Sequence, residues 1–213
     1  MAFLASRGYQ VLQVNFRGSS GYGRDFAEAG YGEWGGVMHE DIIDATRHLV
    51  SEGAARHETS CIMGYSYGGY AALLAGALQP QDFACVIAGG GPTDLYESLK
   101  QDRKAYGKDS STFEYWTRSI GDMKADRDHL DAISPINLVS RFDDPVLIFH
   151  GSEDSIVEVN HSEDMVKALQ DAGKDVTYLT LDEGHYHNRW SIESSTEYFE
   201  TLERFLDDVF KGG

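Results

Sequence analysis

The sequence predicts an α/β fold, a mostly parallel sheet with helices on both faces. Two patterns carry the prediction: short apolar, β-branched runs alternate with helix-spaced amphipathic runs along the chain, and turn-forming glycine, serine and aspartate residues cluster where several of those runs stop. A third is local: a strand-like run passes through a glycine-serine-glycine turn straight into a small-residue helix around residue 66.

Residues 8–16 (GYQVLQVNF) are short and apolar and stop at Arg17-Gly18-Ser19-Ser20-Gly21, which reads as a buried first strand. Over residues 37–50, Val37, Met38, Ile42, Ala45, Leu49 and Val50 recur at helical spacing, with His39, Glu40, Asp44 and Arg47 opposite. That is an amphipathic crossover helix. The alternation continues as strand 60–64, helix 66–78, strand 83–88, strand 146–150, helix 159–172, strand 176–181 and helix 192–209. Between them, the segment 91–141 exceeds an ordinary connection and carries Tyr96, Leu99, Tyr106, Phe113, Tyr115 and Trp116. Short helices roofing a pocket and an insertion packing its aromatics on the sheet edge both fit that content.

With 213 residues, 41% of them hydrophobic and 25% charged, the chain suits one globular domain, and no repeat or low-complexity linker divides it. A formal charge of -17, from 35 acidic against 18 basic residues, argues against nucleic acid or an anionic membrane as partner. No apolar run approaches the roughly 18 to 20 residues that cross a bilayer, and no leader pattern opens the chain, so a soluble cytoplasmic protein is expected. Cys61 and Cys85 each sit in an apolar strand-like run and read as buried thiols rather than a bridge.

Gly64-Tyr65-Ser66-Tyr67-Gly68 matches G-x-S-x-G, in which a sharp strand-to-helix turn exposes the serine Oγ and the glycines let neighbouring backbone approach. Alone the pattern is weak. Here Cys61, Ile62 and Met63 lead into it and Ala71, Ala72, Ala75 and Ala77 follow, which is the strand, turn and helix order the chemistry requires. Asp154 follows the strand 146–150 through His150-Gly151-Ser152-Glu153, at the carboxyl end of a parallel strand where such sheets collect functional groups. Asp144 lies at the wrong end of that strand and Glu153 points elsewhere. His185 follows the last strand within Glu183-Gly184-His185; His187 competes, but the glycine before His185 favours a turn toward the serine. The order Ser66, Asp154, His185 is that of α/β-hydrolases, with serine as nucleophile, histidine as general base and aspartate orienting the ring. The backbone N–H of Tyr67 is the expected oxyanion donor, and the HGG-type segment that commonly supplies a second does not occur. His185 and His187 have a spacing seen in zinc sites, but no third ligand cluster accompanies them, so neither metal nor cofactor is expected.

These motifs resemble, in order, the landmarks of the catalytic domain of the prolyl oligopeptidase family, particularly its acylaminoacyl-peptidase and dipeptidyl-peptidase-like branches. The residues concerned are Leu4-Ala5-Ser6-Arg7-Gly8-Tyr9, Asn15-Phe16-Arg17-Gly18-Ser19-Ser20-Gly21-Tyr22-Gly23, Trp34-Gly35-Gly36, Gly64-Tyr65-Ser66-Tyr67-Gly68-Gly69-Tyr70, Ser134-Pro135-Ile136, His150-Gly151 with Asp154, and Glu183-Gly184-His185. The resemblance covers nearly the whole chain. It implies an α/β-hydrolase fold and a serine-type peptidase acting on short peptides, with esterase activity on small acyl esters. It also assigns the triad to Ser66, Asp154 and His185.

Members of that family carry a β-propeller before the hydrolase domain, and this sequence starts after the family's first hydrolase strands. Residues 1–213 therefore read as one partial hydrolase domain with a vacancy between strands 8–16 and 60–64. Unpaired backbone there is costly, so either those strands close up or a partner chain fills the gap, and a homo-oligomer is expected. Without a propeller the pocket is expected to be open, with Tyr70, Pro92 and Tyr96, beside Tyr67, as its wall. A carboxylesterase on the same scaffold and a fragment acting only as a binding module are the alternatives.

Overall fold

In a computed structural model, which describes residues 2–211, the α/β prediction is realised as a parallel sheet between two helical layers. The elements run α1 (Ala2–Ser6), α2 (Arg24–Glu28), α3 (Val37–Ser51), β1 (Cys61–Tyr65), α4 (Tyr67–Leu78), β2 (Cys85–Gly89), α5 (Leu95–Tyr106), α6 (Ser111–Ile120), α7 (Arg127–Ala132), β3 (Val146–Gly151), α8 (Asn160–Asp171), β4 (Val176–Leu181) and α9 (Ile192–Lys211). The four strands of the described sheet lie in chain order, β1-β2-β3-β4, every pair parallel.

Side-chain alternation along the strands divides the core into two layers. Val86, Ala88, Val146 and Ile148 face α4, α5 and α8, where Leu73, Leu74, Leu99, Met165 and Leu169 are buried. Cys85, Ile87, Leu147, Phe149, Leu179 and Leu181 point the other way, onto Leu202, Phe205 and Leu206 of α9. α4 packs on both β1 and β2, and residues 69–77 are buried all round, which explains its small and apolar composition.

Two expectations are corrected here. Residues 9–16 form no regular element and no ladder, and Val11 and Leu12 are exposed. A run with strand propensity becomes a strand only with a neighbour to pair, and β1 remains an edge of the described sheet; the two strands have not closed up. Instead Phe16 packs on Tyr67 with ring centroids 5.2 Å apart. The next residue is clamped to α3, as the Arg17 amide and guanidinium both donate to the Asp41 carboxylate at 2.6 to 3.1 Å.

The cysteines are also not free thiols. Parallel pairing places Cys61 opposite Cys85, with Cα atoms 4.6 Å apart, and the two form a disulfide between β1 and β2. That proximity comes from sheet register, which neither local run reveals.

The long segment 91–141 folds as α5, α6, α7 and a 3₁₀ stretch over Pro135–Arg141, so the short helices are present. Ser110 and Asp94 cap two of them, accepting from the Phe113 and Glu97 amides at 3.1 and 3.0 Å. Its inner residues Leu95, Leu99, Ile120 and Leu130 join the α4 side of the core. Among the described residues no helix is long and apolar enough to cross a membrane.

Candidate active site

β1 ends at Tyr65 and α4 begins at Tyr67, leaving Ser66 alone in the turn. Among the described residues it is the one non-glycine with positive φ, at 57°. That left-handed conformation costs of order 1 to 3 kcal/mol and must be held by its surroundings. The Ser66 amide donates to the Gly89 carbonyl at 2.8 Å, while its own carbonyl accepts from the Gly69 and Tyr70 amides at 2.9 and 3.1 Å. Space permits the turn only because side chains are missing: a β-carbon on Gly64 would stand 2.1 Å from the Gly68 oxygen.

The acid and base loops are joined in the same way. A β-carbon on Gly151 would stand 2.1 Å from the Glu183 oxygen, so the ends of β3 and β4 touch through backbone. The Ser152 amide donates to Leu181 O at 2.7 Å and the Glu153 amide to Glu183 O at 3.0 Å. That lacing puts Asp154 and His185 side by side. His185 is further latched from two directions, by the Tyr65 hydroxyl donating to its carbonyl at 2.6 Å and by Trp190 Nε1 donating to Gly184 O at 2.9 Å.

The result is a continuous chain of bonds. His185 Nδ1 lies 2.7 Å from Asp154 Oδ2, and His185 Nε2 lies 3.1 Å from Ser66 Oγ. Because a carboxylate only accepts, the ring proton sits on Nδ1 and Nε2 is left to accept from the serine hydroxyl. The arrangement can deprotonate Ser66 and return that proton to a leaving group. The Asp154 side chain is fully buried, and burial pushes its carboxyl up. Hydrogen bonds from His150 and His185 and from the Val157 and Ile156 amides outweigh burial and hold the carboxyl below the ordinary carboxylate range.

Ser66, Asp154 and His185 thus meet, while the rivals do not. Glu153 and His187 are exposed, and Asp144 lies before β3 at the opposite end of the strand. As the first residue of α4, Tyr67 has an N–H without an intrahelical acceptor, beside Ser66. Its side chain turns into the core against Trp34, centroids 4.7 Å apart.

The expected pocket wall needs correction. Tyr70 is 0% exposed beneath Trp34, and Pro92 is buried, so neither presents a face to substrate; α4 and the turn after β2 draw both into the core. Tyr96 is half-buried, with the Arg127 guanidinium 3.8 Å above its ring. Beside His185 lies a recess of about 380 Å³ lined by Tyr65, His185, Tyr186, His187 and Asn188. A larger recess of about 440 Å³ is lined by Asp94, Arg127 and Asp131 among others and includes none of the three triad residues.

Sequence reasoning missed Tyr65, Trp190 and His150 as supports. Tyr65 could have been noticed, since it occupies a variable position of G-x-S-x-G immediately before the serine. The other two reach partners only six and four residues away, Gly184 and Asp154, but through loop turns that no local pattern of the sequence reveals.

Fold and site together define a serine-hydrolase arrangement of the α/β-hydrolase class. Residues 1–213 match the prolyl oligopeptidase family throughout, and the chain belongs to that family. It is 41% identical to dipeptidyl aminopeptidase BIII of Pseudoxanthomonas mexicana, over 99% of this chain and 30% of that protein. It is 39% identical to dipeptidyl peptidase family member 6 of Caenorhabditis elegans, over 99% of this chain and 28% of that protein. A solved Mycobacterium tuberculosis puromycin-hydrolyzing peptidase superposes with a TM-score of 0.82 at 29% identity, over 92% of this chain and 29% of that one. The chain therefore spans less than a third of the length of these relatives.

Proposed function

We propose that this chain carries the hydrolytic centre of a serine-type peptidase acting on short peptides, with esterase activity on small acyl esters. One observation carries the reading: the unbroken series Asp154 Oδ2, His185 Nδ1, His185 Nε2 and Ser66 Oγ, with contacts of 2.7 and 3.1 Å. The names of the relatives support it, since they are dipeptidyl aminopeptidases, acylamino-acid-releasing enzymes and a puromycin-hydrolyzing peptidase.

In this mechanism Ser66 Oγ attacks the carbonyl carbon of the substrate as His185 Nε2 takes its proton. Asp154 keeps the imidazole in the required tautomer and stabilises its cationic form. The Tyr67 N–H donates to the developing oxyanion, helped by the positive end of α4. The protonated His185 then gives its proton to the leaving amine or alkoxide, and an acyl group remains on Ser66. Water, deprotonated by His185, releases it. The recess beside His185 takes the substrate next to the base, with the Tyr65 and Tyr186 rings as its apolar faces and His187 and Asn188 as polar ones.

The test is hydrolysis of an aminoacyl-p-nitroanilide and a short-chain p-nitrophenyl ester by the protein and its Ser66→Ala variant. Turnover of both by the parent and neither by the variant supports the reading. Ester turnover alone identifies a carboxylesterase, and equal turnover by parent and variant removes Ser66 as nucleophile.

A further inference from the structure

Asp154 is shared between two histidines. Besides His185, the imidazole of His150 near the end of β3 places Nε2 3.2 Å from the same oxygen, Oδ2, and both of these side chains are 0% exposed. The other bonds of the His150 ring fix its orientation. Nδ1 lies 2.7 Å from Ser162 Oγ on α8, and Nε2 lies 3.0 Å from the Val157 carbonyl. Carbonyl and carboxylate oxygens only accept, so the ring proton sits on Nε2, between Val157 and Asp154, and Nδ1 accepts from the Ser162 hydroxyl. On the other carboxylate oxygen, Oδ1, the Ile156 and Val157 amides donate at 2.9 and 3.0 Å. Four donors therefore surround Asp154, and one of them has no place in the three-residue scheme.

We propose that His150 is a positioning residue for the hydrolysis proposed above: it fixes Oδ2 of Asp154 in the direction from which His185 Nδ1 meets it, and divides the charge of that oxygen between two rings. The inference rests on that functional reading. The backbone amides hold Oδ1 but leave the carboxylate plane free to pivot about it, and His150 Nε2 removes that freedom. Sharing also limits how strongly Asp154 stabilises protonated His185.

A buried histidine that merely completes the core is the competing explanation, and Val157 O alone would satisfy its N–H. That explanation predicts sensitivity to volume. Positioning predicts sensitivity to a donor at Nε2.

The groups able to influence the same equilibrium come from each neighbouring element. Tyr65 on β1 feels the Asp154 charge and donates to the His185 carbonyl. On α8, His161 interacts with His150, and Asp164 and Glu97 act on His161 in turn. The variants below leave all of these in place.

The experiment compares the parent with His150→Leu and His150→Gln by steady-state ester hydrolysis over pH and by NMR titration of the His185 ring, with thermal melting to confirm folding. His150→Leu fills the space without a donor; its kcat is expected to fall about tenfold with KM unchanged. Oδ2 is then left to His185 alone, the imidazolium gains stability, and the acid limb of kcat/KM moves up by about half a pH unit, together with the NMR midpoint. His150→Gln offers an N–H near the Nε2 position and recovers most of both effects. Ser162→Ala, which alters the ring's far side with little change of core volume, moves both in the same direction as His150→Leu but less, and decides the matter if His150→Leu does not fold. Indistinguishable Leu and Gln variants, or a folded Leu variant with the parent profile and midpoint, overturn the proposal. Absence of turnover in the folded parent counts against the functional reading, while the His185 midpoint still decides the role of His150.

Discussion

Gly64 and Gly68 touch through bare backbone, with room for no β-carbon on the first: one placed there would stand 2.1 Å from the Gly68 oxygen. The contact joins the end of β1 to the first turn of α4 and so sets where Ser66 projects. Gly64→Ala is expected to cost about 3 kcal/mol and to slow hydrolysis beyond that loss, because the serine moves. Gly68→Ala meets nothing within 4 Å and lies in helix α4, so its stability should hold or rise by up to about 1 kcal/mol. Urea unfolding of the two variants checks both signs, and equal destabilisation would contradict the steric account.

Asp154→Asn is expected to leave the fold nearly intact while lowering kcat about 1,000- to 10,000-fold. The amide offers His185 Nδ1 a donor where an acceptor is needed, or turns its oxygen and loses the charge, so the ring no longer holds the productive tautomer. Steady-state kinetics beside the melting temperature separates this from unfolding. A loss below tenfold in well-folded protein would argue against the assigned role.

His161 is expected to make the protein less stable in mild acid. It is buried on α8, accepts from the Thr93 amide on Nδ1 at 3.3 Å, and has Nε2 3.0 Å from the Gln101 side-chain oxygen, a pattern complete only for the neutral ring. Burial, with His150 adding to it, pushes its pKa down to about 4. Between pH 6.5 and 4 the unfolded chain therefore binds a proton that the folded ring refuses. The stability contributed by this group is full above about 6.5 and is lost as pH falls, by roughly 3 kcal/mol at most. Denaturant titrations at stepped pH should show the slope, and His161→Gln should flatten it. An unchanged slope in that variant would locate the acid sensitivity elsewhere.

The Cys61–Cys85 bridge ties the edge strand β1 to β2 across 24 residues of sequence. Closing a loop of that size stabilises by about 3 kcal/mol, mainly by restricting the unfolded chain. Because β1 leads directly into Ser66, reductant should lower the melting temperature and reduce labelling of the serine. The doubly substituted Cys61→Ser, Cys85→Ala protein should be indifferent to reductant. An equal response in both would show that the bridge is not the responsive group.

What could be read from the sequence was what each segment carries in itself. Ser66, Asp154 and His185 each follow a recognisable strand through a short turn, so local pattern and chain order sufficed to name them. The same holds for α3, α4, α8, α9 and the four strands, whose ends were placed within about two residues. Properties of pairs were not legible. Residues 9–16 have strand composition but no strand beside them, the disulfide depends on parallel register, and His150 reaches Asp154 through the turn of the loop after β3. Tyr70 misled for a related reason: its place next to the nucleophile turn suggested exposure, whereas one helical step carries its side chain beneath Trp34.

Activation of Ser66 by His185 is tested by covalent labelling with a fluorophosphonate followed by peptide mapping, in the parent and in His185→Ala. One adduct is expected, on Ser66, forming at least about 100-fold more slowly in the variant at equal foldedness. Labelling of a different residue, or equal rates in the two proteins, would contradict this activation.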